Sequence, residues 1–478
     1  MASKTALTVQ HLETLGARRL AELLLDITTN DASAKRRLRL ELTALTSPKA
    51  IAPEISKRLG QIARARSFLD ARKVNELATD LDAQRRAIVE RVAALDPAEA
   101  LDLMWRLVEM ADAVLQRCDD SNGRLDKLFS IAHRDLGKLA EAAKPDPIAL
   151  AERALSMLER DHFSSYENLI ETISSSLGST GLEHLRQKLV ELSKQPVPRL
   201  AEEDREVIGW GSDGPIYLDR VLASGRESMI RGNLRIIADL QGDVDSYIAQ
   251  YSDEARKQPG VAADFAGRLL AAGRANDALR ILNDAKPVRH HLFNLPWEDA
   301  RIEVLDALGR NDDAQAARWS CFERFLSVKH LRSHLKRLPD FDDVEAERRA
   351  LDQVEHFDQL LPALAFLVSW PALDRAARLV TRRATELDGN YYELLSPAAD
   401  ALAAKYPLAA TLALRAMIDF TLIQGRSARY RHAARHLLEC ESLASAINDF
   451  GAFESHVTYK TRLQVEHARK TGFWSLLS

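Results

Sequence analysis

Only three cysteines occur in 478 residues, Cys118, Cys321 and Cys440, odd in number and far apart. With no CxxC among them, they exclude a disulfide framework and point to a reducing compartment. Glycine (20) and proline (16) are both sparse, so the chain offers few interruptions to a helix. No run approaches the ~18 apolar residues of a membrane span. The opening residues Met1 to Thr8 hold no apolar signal core, which makes the cytoplasm the expected location. Alternating β-branched segments are missing, so no strand is predicted. GxSxG, GxxxxGK[ST] and paired cysteine clusters are missing as well, and hydrolytic or transfer chemistry has no visible home. A net charge of -4 gives no global bias toward nucleic acid or an anionic membrane.

What is present is helical material. Apolar residues make up 46% and charged residues 28%, enough for a large core. Alanine, leucine, arginine and glutamate dominate, and these lose little rotamer freedom in a helix.

One short pattern between Val261 and Phe325 is written twice. Phe265, Leu269 and Leu270 lead to Ala271-Ala272-Gly273-Arg274, then Ala278, Leu279 and Ile281. Ile302, Leu305 and Leu308 lead to Gly309-Arg310, then Ala314, Ala317 and Trp319. The two glycines are 36 residues apart, as are Ala278 and Ala314. The same punctuation recurs at Leu222 to Arg226 and at Leu422 to Arg426. Glycine ends a helix cheaply because it takes positive φ just past the last turn, and the small alanine beyond lets the next helix approach. A helix–turn–helix unit of this length is close to the tetratricopeptide period of about 34. The expected fold is therefore all-α: a tetratricopeptide-like superhelix, or α-solenoid, preceded by a helical N-terminal region.

In chain order, apolar spacing predicts helices over 12–27, 34–45, 51–69, 74–95, 98–115 and 125–143, with Asn30 and Asp31 as caps for the second. Lys144-Pro145-Asp146-Pro147 is the clearest early break. It places an N-terminal helical region at 1–145, holding a basic segment at 35–73, and a helical-repeat array at 146–478. Helices are expected at 148–160, 166–177 and 182–194, and the least helical loop spans about 195–215. Repeats follow, with turns that include Gly242-Asp243, Pro287, Asp388-Gly389-Asn390 and Tyr406-Pro407.

Gly209, Gly211 and Gly214 match GxGxxG. Dinucleotide binding needs a strand feeding the first glycine and a helix facing the pyrophosphate. Only Val207 and Ile208 precede it, behind a charged run, so a loop is the better reading. His432, His436 and Cys440 fall at i, i+4 and i+8, but the outer two are about 12 Å apart along a helix axis. Zinc ligands lie about 2.0–2.3 Å from the ion, so one zinc cannot take all three. Ala433, Leu437, Cys440 and Ala444 form an apolar stripe, which makes Cys440 a core thiol. His330 and His334 are flanked by Lys329, Arg332, Lys336 and Arg337, which would repel a cation. No catalytic, cofactor or metal residues are assigned.

The segment Lys35 to Lys73 carries a net charge of +8. Its candidate basic patch is Lys35, Arg36, Arg37, Arg39, Lys57 and Arg64, with Lys57 and Arg64 expected opposite the apolar stripe Ile51, Ile55, Leu59, Ile62. Such a face could meet phosphates with steep salt dependence, meet an acidic protein, or simply be solvated. In the C-terminal third, Arg426, Arg429, Tyr430 and Arg431 form a candidate interaction surface, arginine and tyrosine being favoured at interfaces. The alternative is that Tyr430 packs between repeats and the arginines cover neighbouring helices.

That third carries a more specific pattern: Tyr406-Pro407-Leu408-Ala409-Ala410, Arg415, Ile418, Gly425-Arg426-Ser427, Arg429 to Ala434, then His456, Tyr459, Leu463, His467 and Phe473-Trp474. It resembles, from Pro407 to Trp474, the helical-repeat region of bacterial SWIM-type zinc-finger proteins. The CxC and CxH of that finger are missing, so the zinc function does not carry over. Over its whole length, with Ile237 to Asp245 as part of the likeness, the chain resembles an uncharacterised bacterial all-helical family, a domain of unknown function. The resemblance implies a fold and transfers no functional residues.

The leading reading is a cytoplasmic helical-repeat scaffold or adaptor for another protein or peptide, since stacked helix pairs yield an extended concave surface. The alternative is a nucleic-acid-associated protein using the basic segment. An enzyme with a site assembled from distant helices is the third reading. No cofactor and no membrane is expected.

Overall fold

A computed structural model describes residues 8–29, 34–36, 38–39, 42, 50–160, 168–196, 205–212, 214–285 and 295–477. Nearly all of these are helical, so the protein is all-α. Two compact units divide the chain, Met1–Ser252 and Asp253–Ser478. The Lys144-Pro145-Asp146 break lies inside the first of them, as a turn between helices that share one core. No helix of the described residues is long and apolar enough to cross a membrane.

In the first unit several helices start where an aspartate side chain satisfies orphan amides. Asp70 accepts from the Lys73 amide at 3.0 Å to open Ala71–Ala87, which runs into a π-helical turn, Ile88–Val92. Asp96 accepts from the Ala98 and Glu99 amides, both at 3.0 Å, and Pro97 occupies the first position of Pro97–Glu109. Trp105 on that helix is 1% exposed and anchors the core. Arg124–Ala143 crosses Leu169–Lys194 so closely that a Cβ at Gly137 would lie 2.5 Å from the Thr172 carbonyl oxygen. Leu169–Lys194 kinks at Gly178, where the sequence predicts a gap between two helices.

The absence of strands is corrected by a hairpin. Val207–Gly211 and Gly214–Tyr217 pair antiparallel, with Trp210 opposite Pro215 and Gly211 opposite Gly214. Two of the GxGxxG glycines, Gly209 and Gly211, lie in the first strand, and Gly214 opens the second with φ +115°. Segments of four and five residues are too short for alternation to stand out, which is why the sequence reads there as a loop.

A second correction concerns Gly225, expected to end a helix. It sits inside Leu218–Gln241, and the turn comes at Gly242, φ +69°. Strong helix formers on both sides of Gly225 outweigh the roughly 1 kcal/mol that one interior glycine costs.

In the second unit the written repeat becomes a repeated geometry. Pro259–Ala271 turns at Gly273 into Ala275–Asp284, and Leu295–Ala307 turns at Gly309 into Asn311–Phe325. The glycines take φ +74° and +69°. In the first turn the Arg274 amide donates to Leu269 O at 2.8 Å and the Gly273 amide to Leu270 O at 2.9 Å. In the second, Arg310 donates to Leu305 O at 2.9 Å and Gly309 to Asp306 O at 3.0 Å. These are Schellman closures. The arginine after each glycine then reaches the aspartate three residues on: Arg274 Nε to Asp277 at 2.8 Å and Arg310 Nε to Asp313 at 2.7 Å. Gly425 closes Pro407–Ile423 in the same way, Arg426 donating to Thr421 O at 3.0 Å.

Candidate functional site

Near the end of the second unit three helices, Tyr392–Ala403, Pro407–Ile423 and Tyr430–Ala444, pack with the middle one against both others. Pro407–Ile423 is buried on nearly every side, as its run of alanine, leucine and methionine dictates. Ahead of Tyr392 the chain passes Gly389, where a Cβ would lie 2.0 Å from the Ala416 carbonyl oxygen and 2.8 Å from the Met417 Cα. Only glycine lets that loop lie against the helix backbone, and the close approach shapes one wall of a cavity.

The cavity has a volume of about 320 Å³ and is lined by Gly389, Tyr392, Ser396, Met417 and Thr421 on one side. Ala428, Arg429, His432, Ala433, Arg435 and His436 line the other. Ser396 Oγ donates weakly to Met417 Sδ at 3.5 Å. Arg429 sits at the N-terminal end of Tyr430–Ala444, its guanidinium 4.7 Å from the Tyr392 ring centre and 6.0 Å from that of Phe420. Its Nη1 donates to Asn390 Oδ1 at 3.3 Å. Arg435 pairs with Glu439 at 3.3 Å. His436 is 5% exposed, and its Nδ1 is shielded with no hydrogen-bond partner. Burial, then the positive charge of Arg435, pushes its pKa down to about 4, so the ring is neutral at physiological pH.

Of the four residues expected to form an interaction surface, Arg429 alone lines this cavity. Tyr430 is half-buried with its ring edge-on to Phe473 at 6.0 Å, so it packs the fold. Arg426 and Arg431 are exposed and stand outside the lining. Sequence reasoning singled out His432 and His436 only as metal ligands. Among the described residues no group of three metal-ligating side chains forms. Tyr392, Met417 and Thr421 carried no signal beyond the marked turn at Asp388-Gly389-Asn390.

Next to the cavity lies a buried polar cluster. Arg415 is 6% exposed; its Nη1 donates to Glu454 O at 2.8 Å, and its guanidinium lies 4.4 Å from the Tyr459 ring centre. Tyr459 donates to Asp419 at 2.9 Å, and Arg462 links Asp419, Glu454 and Glu466. Cys440 is fully buried, and desolvation pushes its thiol up to about 12. A thiol in that state is a packing group. Cys321 is held the same way, also pushed up to about 12.

The other sequence candidates resolve simply. His330 is buried and pairs with Asp299 at 3.0 Å, while His334 reaches the Gln315 carbonyl at 3.2 Å and lies against Trp319. In the basic segment, Arg36 and Arg58 both pair with Asp80, at 3.2 and 2.6 Å, and Lys35 donates to Thr29 O at 2.6 Å. Arg37 lies outside the described residues. Arg39, Lys57 and Arg64 are exposed, the latter two opposite the buried stripe of Ile51–Arg64.

Fold and cavity together define an all-α protein with a small pocket, lined by two arginines and two histidines, near its C-terminal end. The chain belongs to the family described as "Family of unknown function (DUF6880)", which it matches over residues 2–476. No curated protein matches it.

Proposed function

We propose that the protein acts by binding, as a helical-repeat scaffold or adaptor for another protein. One observation carries this reading: two helix pairs closed by the same Schellman hydrogen bonds and the same arginine–aspartate cap, 36 residues apart. Pro259–Ala271 packs on the helix that follows it and on Leu295–Ala307, so each pair buries its apolar face on its neighbours. That is how solenoids are assembled, and the same stacking continued through the second unit is the basis for reading a concave binding surface there. Free Cys118, Cys321 and Cys440 suit a reducing compartment, and we place the protein in the cytoplasm.

Nucleic acid is the second reading, favoured by exposed Arg39, Lys57 and Arg64. It is weakened because Arg36 and Arg58 are engaged by Asp80. Affinity purification of the tagged full chain at low and high salt, with and without nuclease, separates the two. Stoichiometric protein retained at high salt after nuclease supports the scaffold. Recovery that vanishes with nuclease or salt overturns it in favour of the basic segment.

A further inference from the structure

We infer that the cavity between Tyr392, Met417, Arg429 and His436 binds a small organic anion, an apolar body carrying a carboxylate or phosphate head. The inference is independent of the scaffold reading.

Charge comes first. Eleven residues line the cavity, two of them arginine and two histidine, and none is an aspartate or glutamate. Arg435 is committed to Glu439. No carboxylate of the described residues pairs with Arg429, whose hydrogen-bond partner is the neutral amide oxygen of Asn390. Other arginines of the second unit are neutralised: Arg375 by Asp352 and Glu355, Arg383 by Glu386, Arg462 by three acids. A guanidinium stacked on Tyr392, with its fork unclaimed by an acid, is a pre-organised donor for a bidentate anion.

His436 is the second, independent observation. It is a polar side chain more than nine-tenths buried, lining the cavity, with Nδ1 sealed off and unpartnered. An orphaned buried N–H is rarer in proteins than an orphaned acceptor. A proton on Nε2, the nitrogen that is not sealed off, leaves Nδ1 as an orphaned acceptor and not an orphaned donor. Burial keeps the ring neutral, and a neutral Nε2–H is a donor that an anion can accept from. Asp400 and Glu439, the acids whose fields reach His436 or its neighbours, do not line the cavity.

Shape sets the remainder of the ligand. The Tyr392 ring, Met417, Ala428 and Ala433 offer apolar wall around the cationic edge. A volume of about 320 Å³ lies at the small end of ligand cavities, which suits a metabolite-sized molecule and excludes a folded partner.

The test uses the full chain with its histidine rings isotope-labelled, titrated with benzoate, phenyl phosphate and neutral benzamide while the His436 and His432 Cε1–H resonances are followed. Saturable movement of the His436 resonance by benzoate or phenyl phosphate, and none by benzamide, is expected. Arg429→Gln should weaken that binding about tenfold or more, the loss of one charge-assisted hydrogen bond. Its probe-free His436 resonance should stay in place, reporting an intact cavity, and Arg429→Lys should recover part of the affinity. The inference is overturned if neither anion moves His436 at concentrations on the order of 10 mM. It is equally overturned if benzamide binds as well as benzoate, or if Arg429→Gln binds like the parent.

Discussion

Tyr459 donates its hydroxyl to Asp419 at 2.9 Å while the Arg415 guanidinium covers the face of the same ring at 4.4 Å. One phenol therefore ties together the central helix Pro407–Ile423 and the later helix His456–Glu466. Burial raises the Asp419 pKa above the ordinary carboxylate range, and the Tyr459 hydrogen bond and Arg462 oppose that rise. Tyr459→Phe removes a donor from a half-buried, ionisable acceptor without opening a cavity. The expected cost is about 1.5–3 kcal/mol, read from urea unfolding of the full chain. The loss should shrink under acid conditions, because it is the ionised carboxylate that needs the donor. A variant as stable as the parent at neutral pH would show that water replaces the hydroxyl there.

His436 gives the protein an acid-sensitive limb. Its folded pKa, about 4, lies below the ordinary 6.5, and burial pushes His330, His334 and His456 in the same direction. Between the two values the unfolded chain binds protons that the folded chain refuses, so stability is full above about 6.5 and falls as pH drops toward about 4. At about 1.4 kcal/mol per unit, His436 alone accounts for a loss on the order of 3 kcal/mol over that window. His436→Gln should flatten the limb, measured as melting temperature against pH. An unchanged slope would place the acid sensitivity in His330, His334, His456 and His467, whose pKa burial also lowers.

The thiols sort by burial. Cys321 and Cys440 are both 0% exposed, with pKa values near 12, whereas Cys118 is only half-buried. At mildly alkaline pH, on the order of one in ten thousand of the buried thiols is ionised. A disulfide-exchange reagent should titrate one thiol in the native protein and three after unfolding. Fast labelling of Cys440 in the native state would mean that the helix pair around it opens.

How much of this was legible in the sequence depends on how local each feature is. The turns at Gly273, Gly309 and Gly425 could be read because glycine, the arginine after it and the alanine beyond lie within a few residues of one another. The reading failed at Gly225, where the same letters stand in mid-helix, because a turn motif carries no record of the helix formers around it. The hairpin at Val207 to Tyr217 was missed because its two strands are each shorter than a pattern needs. Arg429 and the two histidines were marked, but the cavity they share depends on Tyr392 and Met417. Those come from two preceding helices, and no spacing along the chain predicts that meeting. Arg36 shows the converse: a residue of a basic run whose buried partner, Asp80, is far along the sequence.

Two glycines should respond oppositely to alanine, and the reason is purely what surrounds them. Gly267 lies in the middle of Pro259–Ala271 with nothing within 4 Å of a built Cβ. Gly267→Ala removes backbone freedom from the unfolded chain and adds helix propensity, so it should stabilise by about 0.5–1 kcal/mol. At Gly389 the added Cβ would sit 2.0 Å from the Ala416 carbonyl oxygen, and that obstacle is backbone in the most buried helix of the unit. It cannot rotate away as a side chain could. Gly389→Ala must push the loop off the helix, at a cost of about 3 kcal/mol or more, and with it deform the cavity wall. Melting temperatures should therefore rise for the first variant and fall by several degrees for the second. In the histidine spectrum, Gly389→Ala should move His436 while Gly267→Ala leaves it in place, because only the first displaces a residue that lines the same cavity. If both variants melt alike, the close approach at Gly389 is wrong, and the cavity has a different wall.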